Sequence, residues 1–166
     1  MISEVSLGGS PPPDEPLFSQ AMDLGINYVD TSPAYGEGSC ERLVGKMIRG
    51  RRDGFHVTGK VFAQPGVSLA ADYVASVEGT LQRMQTDYLD IVQIHGAASP
   101  AAHQDAELLD AFRLLKEQGK VRFTGMSCHA DPVNVLKPAI EGGHYDVITI
   151  AYNAYLDMPP VEKRAD

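Results

Sequence analysis

The sequence predicts a parallel α/β fold in which strands and helices alternate along the chain. Six short apolar runs of strand character recur, with centres roughly 24 to 35 residues apart, and stretches of helical periodicity separate them. Such alternation is typical of a parallel sheet with right-handed crossovers. The spacing is close to the roughly 31 residues per unit of a (β/α)8 barrel. An open doubly wound sheet is also compatible with this pattern.

The elements follow one another in a regular order. The predicted strands cover 4–7, 27–30, 55–60, 90–95, 121–127 and 146–153, and the apolar stripes of the intervening helices cover 17–24, 43–48, 73–84, 108–115 and 133–140. Asp14 and Asp131 stand where helix N-caps are expected, with Pro132 at a first helical position. Gly142 should end the fifth of these helices in a left-handed conformation, unless Pro138 kinks or ends it earlier.

Bulk properties exclude several classes of function. The chain has 166 residues and a net charge of -8, which disfavours nucleic acid and anionic membranes as partners. Two cysteines, Cys40 and Cys128, do not make a disulfide framework and favour a reducing, cytoplasmic location. No apolar run is long enough to span a membrane. We therefore expect a small-molecule partner, and the sequence leaves the oligomeric state open.

Polar side chains are found where the predicted strands end. The second strand ends in Asp30, with Tyr35 in the loop after it, the third in Lys60, the fourth in His95 and the fifth in Ser127. Each has an ordinary structural explanation when taken alone, as a helix cap, a solvated strand end or loop packing. Parallel strands of a barrel bring their C-terminal ends to one rim, where catalytic residues lie. Together these residues therefore predict a catalytic site.

This set of side chains can deliver a proton to a carbonyl oxygen. A tyrosine, with a reference pKa of about 10, is a poor proton source near neutral pH, and a neighbouring lysine ammonium stabilises its phenolate. A buried lysine needs a counter-ion, which Asp30 can supply, and His95 can hydrogen-bond a substrate oxygen. None of these side chains can donate a hydride ion, so a reduction at this site requires a cofactor.

Three segments, in this order, resemble the aldo-keto reductase family. Residues 25–36 (GINYVDTSPAYG) resemble the motif with the catalytic aspartate and tyrosine, and residues 41–46 the helix behind it. Residues 81–95 (LQRMQTDYLDIVQIH) resemble the motif that ends in the catalytic histidine, and residues 118–127 (QGKVRFTGMS) the stretch before the serine that contacts nicotinamide. The resemblance covers residues 2–153. It implies a (β/α)8 barrel that reduces an aldehyde or ketone with NADPH.

The resemblance also implies a role for each site residue. Tyr35 becomes the general acid, Lys60 the cation beside it, Asp30 the charge partner of Lys60, and His95 the residue that orients the substrate.

Further residues are implied to bind the cofactor. They are Gly8 and Gly9, which allow a close backbone approach, and Ser127, Cys128 and Thr149. At two of these positions the chain departs from the family, which usually has asparagine at Cys128 and glutamine near Thr149. A thiol and a hydroxyl are shorter, and the thiol is a weaker partner for an amide. No metal site is implied, since no recognised ligand spacing is present.

Only six of the eight strands of the family barrel are found in the sequence. We therefore expect residues 1–166 to form a single aldo-keto-reductase-like barrel domain that lacks its C-terminal part. The absent strands would carry the aromatic residue that stacks on nicotinamide and the basic loops that hold the adenosine phosphate.

Alternative functions remain open at this stage. A non-catalytic binding or regulatory subunit on the same fold is the main alternative, favoured by Cys128 and the missing strands. A barrel isomerase or epimerase would usually need a metal. Residues 125–129 (GMSCH) nearly match the nucleophile elbow of serine hydrolases, but His129 stands where a small residue is needed.

Overall fold

The computed structural model describes residues 1–129 and 131–151. Six strands and six helices alternate within them, apart from two successive helices after the fourth strand. The strands are β1 (Ser6–Leu7), β2 (Tyr28–Asp30), β3 (His56–Val61), β4 (Leu89–Ile94), β5 (Val121–Cys128) and β6 (Val147–Ile150). The helices are α1 (Glu15–Asp23), α2 (Ser39–Ile48), α3 (Ala70–Met84), α4 (Pro100–His103), α5 (Ala106–Glu117) and α6 (Pro132–Gly142).

The sheet topology confirms the barrel prediction and excludes the doubly wound alternative. All five strand pairs are parallel, and the strands lie side by side in chain order from β1 to β6. A doubly wound sheet would instead reverse its strand order at a switch point. The described residues thus form an incomplete (β/α)8 barrel, and residues 152 and 153 of the last predicted strand lie outside them.

Local sequence signals placed the helices with small errors. Asp14 caps α1 by accepting the Leu17 N–H at 2.8 Å, and Pro132 is the first residue of α6. The helix continues through Pro138 to Gly142, and Gly143, not Gly142, adopts the left-handed conformation. The helix was therefore predicted to end one residue early.

The main core lies between the sheet and its outer layer of helices. It is built from the apolar stripes of α2, α3 and α5 together with the outward side chains of β3, β4 and β5, for example Val44, Val77, Leu89, Leu108 and Met126, which are all buried.

Helices α2 and α3 approach closely at Gly45. A Cβ atom there would lie 2.0 Å from the Met84 carbonyl oxygen, so only glycine fits this crossing. The contact fixes the position of α2, which follows the loop that carries Tyr35. Among the described helices, none is both long and apolar enough to cross a membrane.

Candidate active site

The C-terminal ends of three adjacent strands bring the predicted catalytic residues to one rim. Asp30 is the last residue of β2, Lys60 the penultimate residue of β3, and His95 the first residue after β4. The register aligns Asp30 with Thr58 and Lys60 with Gln93. Residues two apart on a strand face the same side, so Lys60 and His95 both point into the barrel, one layer apart.

Lys60 and Asp30 form a direct ion pair across β2 and β3. Both carboxylate oxygens accept from the ammonium group, which also donates to the Thr31 carbonyl oxygen at 3.3 Å. The Lys60 side chain is 4% exposed and that of Asp30 is 29% exposed. Because a buried ammonium is unfavourable without a counter-ion, Asp30 compensates the charge of Lys60.

Tyr35 lies against the same ammonium group. The Lys60 Nζ is 4.9 Å from the centre of the Tyr35 ring, and the ring meets that of His95 edge to face, with 5.5 Å between the centroids. Tyr35 is half-buried, so its hydroxyl belongs to a side chain that solvent still reaches. The structure therefore brings together all four residues that the sequence proposed for proton transfer.

The His95 ring is held on three sides. Its Nδ1 atom is 3.0 Å from the Ser32 hydroxyl, and its face stacks on Phe62 at a centroid distance of 4.7 Å. Burial lowers the pKa of His95, and the positive charge of Lys60 lowers that pKa further. The lowered pKa favours the neutral imidazole, which carries a single ring proton. On the third side, the Tyr35 ring meets the imidazole edge to face.

Sequence reasoning missed Ser32 and Phe62 as members of this site. Both lie within two residues of a predicted catalytic residue, Asp30 and Lys60 respectively, at a strand end. That adjacency was the signal that could have identified them. What the sequence could not give is the direction of their side chains, because both contacts are made to a histidine that follows a different strand.

Gly8 and Gly9 have different environments. A Cβ on Gly9 would lie 2.6 Å from the Asp30 carbonyl oxygen, 2.7 Å from Cys40 Sγ and 2.9 Å from Tyr35 Cδ2. A Cβ on Gly8 would meet nothing within 4 Å. Gly9 is thus required for packing beneath the site, whereas Gly8 leaves open space at the rim.

The other predicted cofactor residues are distributed over β5 and β6. The Ser127 hydroxyl is buried, donates to the Ile94 carbonyl oxygen at 3.2 Å and accepts from the Gly96 N–H at 2.9 Å. Cys128 belongs to the apolar core. Thr149 is exposed, and its hydroxyl accepts from Gln93 Nε2 at 2.9 Å. Of these three side chains, only Thr149 faces solvent. The backbone bonds of Ser127 disfavour a serine nucleophile.

Comparison with known proteins identifies the family to which this chain belongs. The model of the Aldo/keto reductase family matches residues 11–162, so the chain belongs to that family. The uncharacterized oxidoreductase YqkF of Bacillus subtilis is 29% identical, over 97% of this chain and 55% of YqkF. The chain thus spans about half the length of this relative.

Solved structures agree with this result. The holo form of the aldo-keto reductase AKR11C1 from Bacillus halodurans has a TM-score of 0.76 at 31% identity, with 91% of this chain and 54% of that chain covered. An aldo-keto reductase from Klebsiella pneumoniae in complex with NADPH has a TM-score of 0.70 at 28% identity, with coverages of 91% and 55%. The incomplete barrel is therefore that of the aldo-keto reductase fold.

Proposed function

We propose that the protein reduces an aldehyde or ketone to an alcohol with NADPH and that Tyr35 is the general acid. The observation that supports this most directly is the contact of Tyr35 with both the Lys60 ammonium and the His95 ring. Each of these residues comes from a different strand or strand-end loop. Their convergence at one rim matches the requirements of proton transfer to a carbonyl oxygen.

Each residue of the site has a separate role in the reaction. When bound, NADPH supplies the hydride that reaches the carbonyl carbon. Tyr35 gives its hydroxyl proton to the carbonyl oxygen, and the Lys60 ammonium stabilises the phenolate that results. Asp30 compensates the charge of Lys60 and holds its ammonium group in position. His95 is neutral and orients the substrate by a hydrogen bond to the same oxygen.

The rim offers part of what NADPH requires. Gly8 leaves space for a close approach, and Thr149 presents a hydroxyl beside Gln93, whose buried Oε1 atom has no partner in the described part of the chain. An unpaired buried amide oxygen is suited to accept from a carboxamide N–H. These residues would hold the nicotinamide end. The relative from Klebsiella pneumoniae, solved with NADPH, supports this choice of cofactor.

A second candidate is a non-catalytic binding or regulatory subunit. Two of the five predicted cofactor residues favour it, because the buried Ser127 hydroxyl already donates its proton to a backbone carbonyl and Cys128 lies in the core. Such a protein would keep the proton-transfer residues without turnover.

Titration with NADPH, followed by turnover on a panel of aldehydes and ketones, tests both candidates. Tyr35→Phe should lower turnover at least about a hundredfold with NADPH affinity unchanged. Tyr88→Phe removes a hydroxyl near Asp53, outside the site, and is the matched control. Full turnover by Tyr35→Phe would refute the mechanism, whereas NADPH binding with no turnover on any carbonyl would favour the second candidate.

A further inference from the structure

Ser32 lies in the turn that carries Tyr35 and is completely buried. Its carbonyl oxygen accepts from the Tyr35 N–H at 3.0 Å, which closes the turn. Its hydroxyl oxygen accepts from the Ala34 N–H at 3.2 Å. Ser32 therefore fixes the backbone that presents the phenol, by two local hydrogen bonds of the kind that serine makes in turns.

The same hydroxyl is 3.0 Å from His95 Nδ1. A serine hydroxyl has one proton to donate and two lone pairs to accept with. The Ala34 N–H uses one lone pair, and His95 Nδ1 is the only side-chain acceptor that the described residues offer to the proton. If Nδ1 carried a hydrogen instead, the serine proton would be buried without an acceptor, which is unfavourable.

We propose that Ser32 is a positioning residue that holds His95 in the tautomer with Nδ1 unprotonated and the ring hydrogen on Nε2. The hydroxyl donates to Nδ1, so the opposite nitrogen is the donor. Phe62, stacked on the ring, restricts its rotation out of this plane. Ser32 thus sets both the position of Tyr35 and the donor direction of His95.

The charges around the imidazole allow this assignment at neutral pH. Asp30 on β2, Lys60 on β3 and His129 after β5 all act on His95, and burial together with Lys60 lowers the pKa of the ring. Tyr35 is a further titratable neighbour, in edge-to-face contact. Because the neutral ring has one hydrogen, its location decides whether His95 can donate to a substrate oxygen. This consequence rests on the proposed reductase function, but the tautomer itself does not.

Nitrogen-15 NMR of the histidine side chains tests the tautomer directly, without any substrate. At a pH above the titration of His95, Nδ1 should show the shift of an unprotonated ring nitrogen and Nε2 that of a protonated one. The resonances are assigned from the spectrum of His95→Gln. A protonated Nδ1 in the unsubstituted protein would overturn the proposal.

Substitution at position 32 provides the second measurement. Ser32→Ala should give a mixture of tautomers and raise the titration midpoint of His95 by about 0.7 pH units, the equivalent of one hydrogen bond to the neutral ring. Ser32→Thr keeps a hydroxyl and should restore both values. Ser68→Ala is the control, because its hydroxyl bonds to the Gln64 side chain, outside the His95 contacts. An unchanged tautomer ratio in Ser32→Ala would also overturn the proposal.

Turnover separates this inference from the proposed function. Ser32→Ala should lower kcat about fivefold, with partial recovery in Ser32→Thr. If the unsubstituted protein reduces no carbonyl compound, the reductase proposal fails while the NMR result still decides the tautomer. If Ser32→Ala shifts the tautomer but turns over at the full rate, the role of Ser32 in positioning His95 for substrate is refuted.

Discussion

The ion pair between Asp30 and Lys60 should be the most sensitive polar contact of the site to a single substitution. Asp30→Asn keeps the shape of the side chain but leaves the Lys60 ammonium, which is 4% exposed, without a counter-charge. Breaking a buried pair in this way costs about 3–5 kcal/mol. Asp30 retains partial solvent contact and the Thr31 carbonyl oxygen still accepts from Lys60, so we expect a cost at or below the lower limit of this range, about 2–3 kcal/mol.

Urea unfolding, followed by circular dichroism, measures this cost. With a slope of about 2 kcal/mol per molar urea, the midpoint for Asp30→Asn should fall by about 1–1.5 M. Lys60→Met leaves a carboxylate that water still reaches, so its midpoint should fall less. The double variant should be close to Lys60→Met, because the aspartate then has no charge to neutralise. Glu15→Gln, at the exposed pair with Lys46, should change the midpoint very little.

Two results would refute this reasoning. One is an Asp30→Asn midpoint within about 0.3 M of the unsubstituted protein, which at this slope would mean that water solvates Lys60. The other is an equal cost of Asp30→Asn with and without Lys60→Met, since a true pair must show coupling.

Three further predictions concern packing and pH. Gly9→Ala should displace the Tyr35 ring, destabilise the fold by about 1–3 kcal/mol and reduce turnover, whereas Gly8→Ala should leave the stability unchanged. An equal loss of stability in the two variants would contradict this. Gly45→Ala should lower the free energy of unfolding by about 3 kcal/mol, because a backbone carbonyl blocks the added methyl group. Gly79→Ala meets only a flexible arginine side chain and should instead stabilise α3 by about 0.5–1 kcal/mol. Burial lowers the pKa of His103, so the stability that its neutral form contributes is fully present above about pH 6.5. This stability is lost as the pH falls through the lower pKa of His103 in the folded state. An NMR titration midpoint of His103 at or above about 6.5 would refute this.

The sequence predicted the fold because two independent periodicities agree in it. Strand-like runs and helical stripes alternate at the spacing of a βα unit, and the strand ends carry Asp30, Lys60 and His95 at positions that the observed register brings to one rim. The residue at each strand end can be read directly from the sequence. A parallel barrel brings the C-terminal ends of neighbouring strands to one rim, so these residues become neighbours.

The parts of the site that the sequence left undetermined depend on side-chain direction. Ser127 was expected at the cofactor, which stays a prediction, and the sequence did not show that its hydroxyl bonds to the backbone of β4 and the loop after it. Gly9 was expected to admit a ligand, which stays a prediction, and the structure adds a packing reason for glycine there in the Asp30 carbonyl and the Tyr35 ring. Such contacts join residues far apart in the chain, and no local pattern specifies them.

Variants of the Asp30–Lys60 pair can distinguish its contribution to stability from its contribution to catalysis. Replacing a buried ion pair by uncharged residues of similar shape is often neutral or stabilising, so stability alone does not require these two charges. If the double variant Asp30→Asn with Lys60→Met retains most of the stability, the pair is needed for what lies next to it, the Tyr35 phenol at the Lys60 ammonium. The same variant should then bind NADPH and fail to turn over, because the phenolate would have lost its stabilising cation. A double variant that is stable and fully active would show that this rim does not deliver the proton.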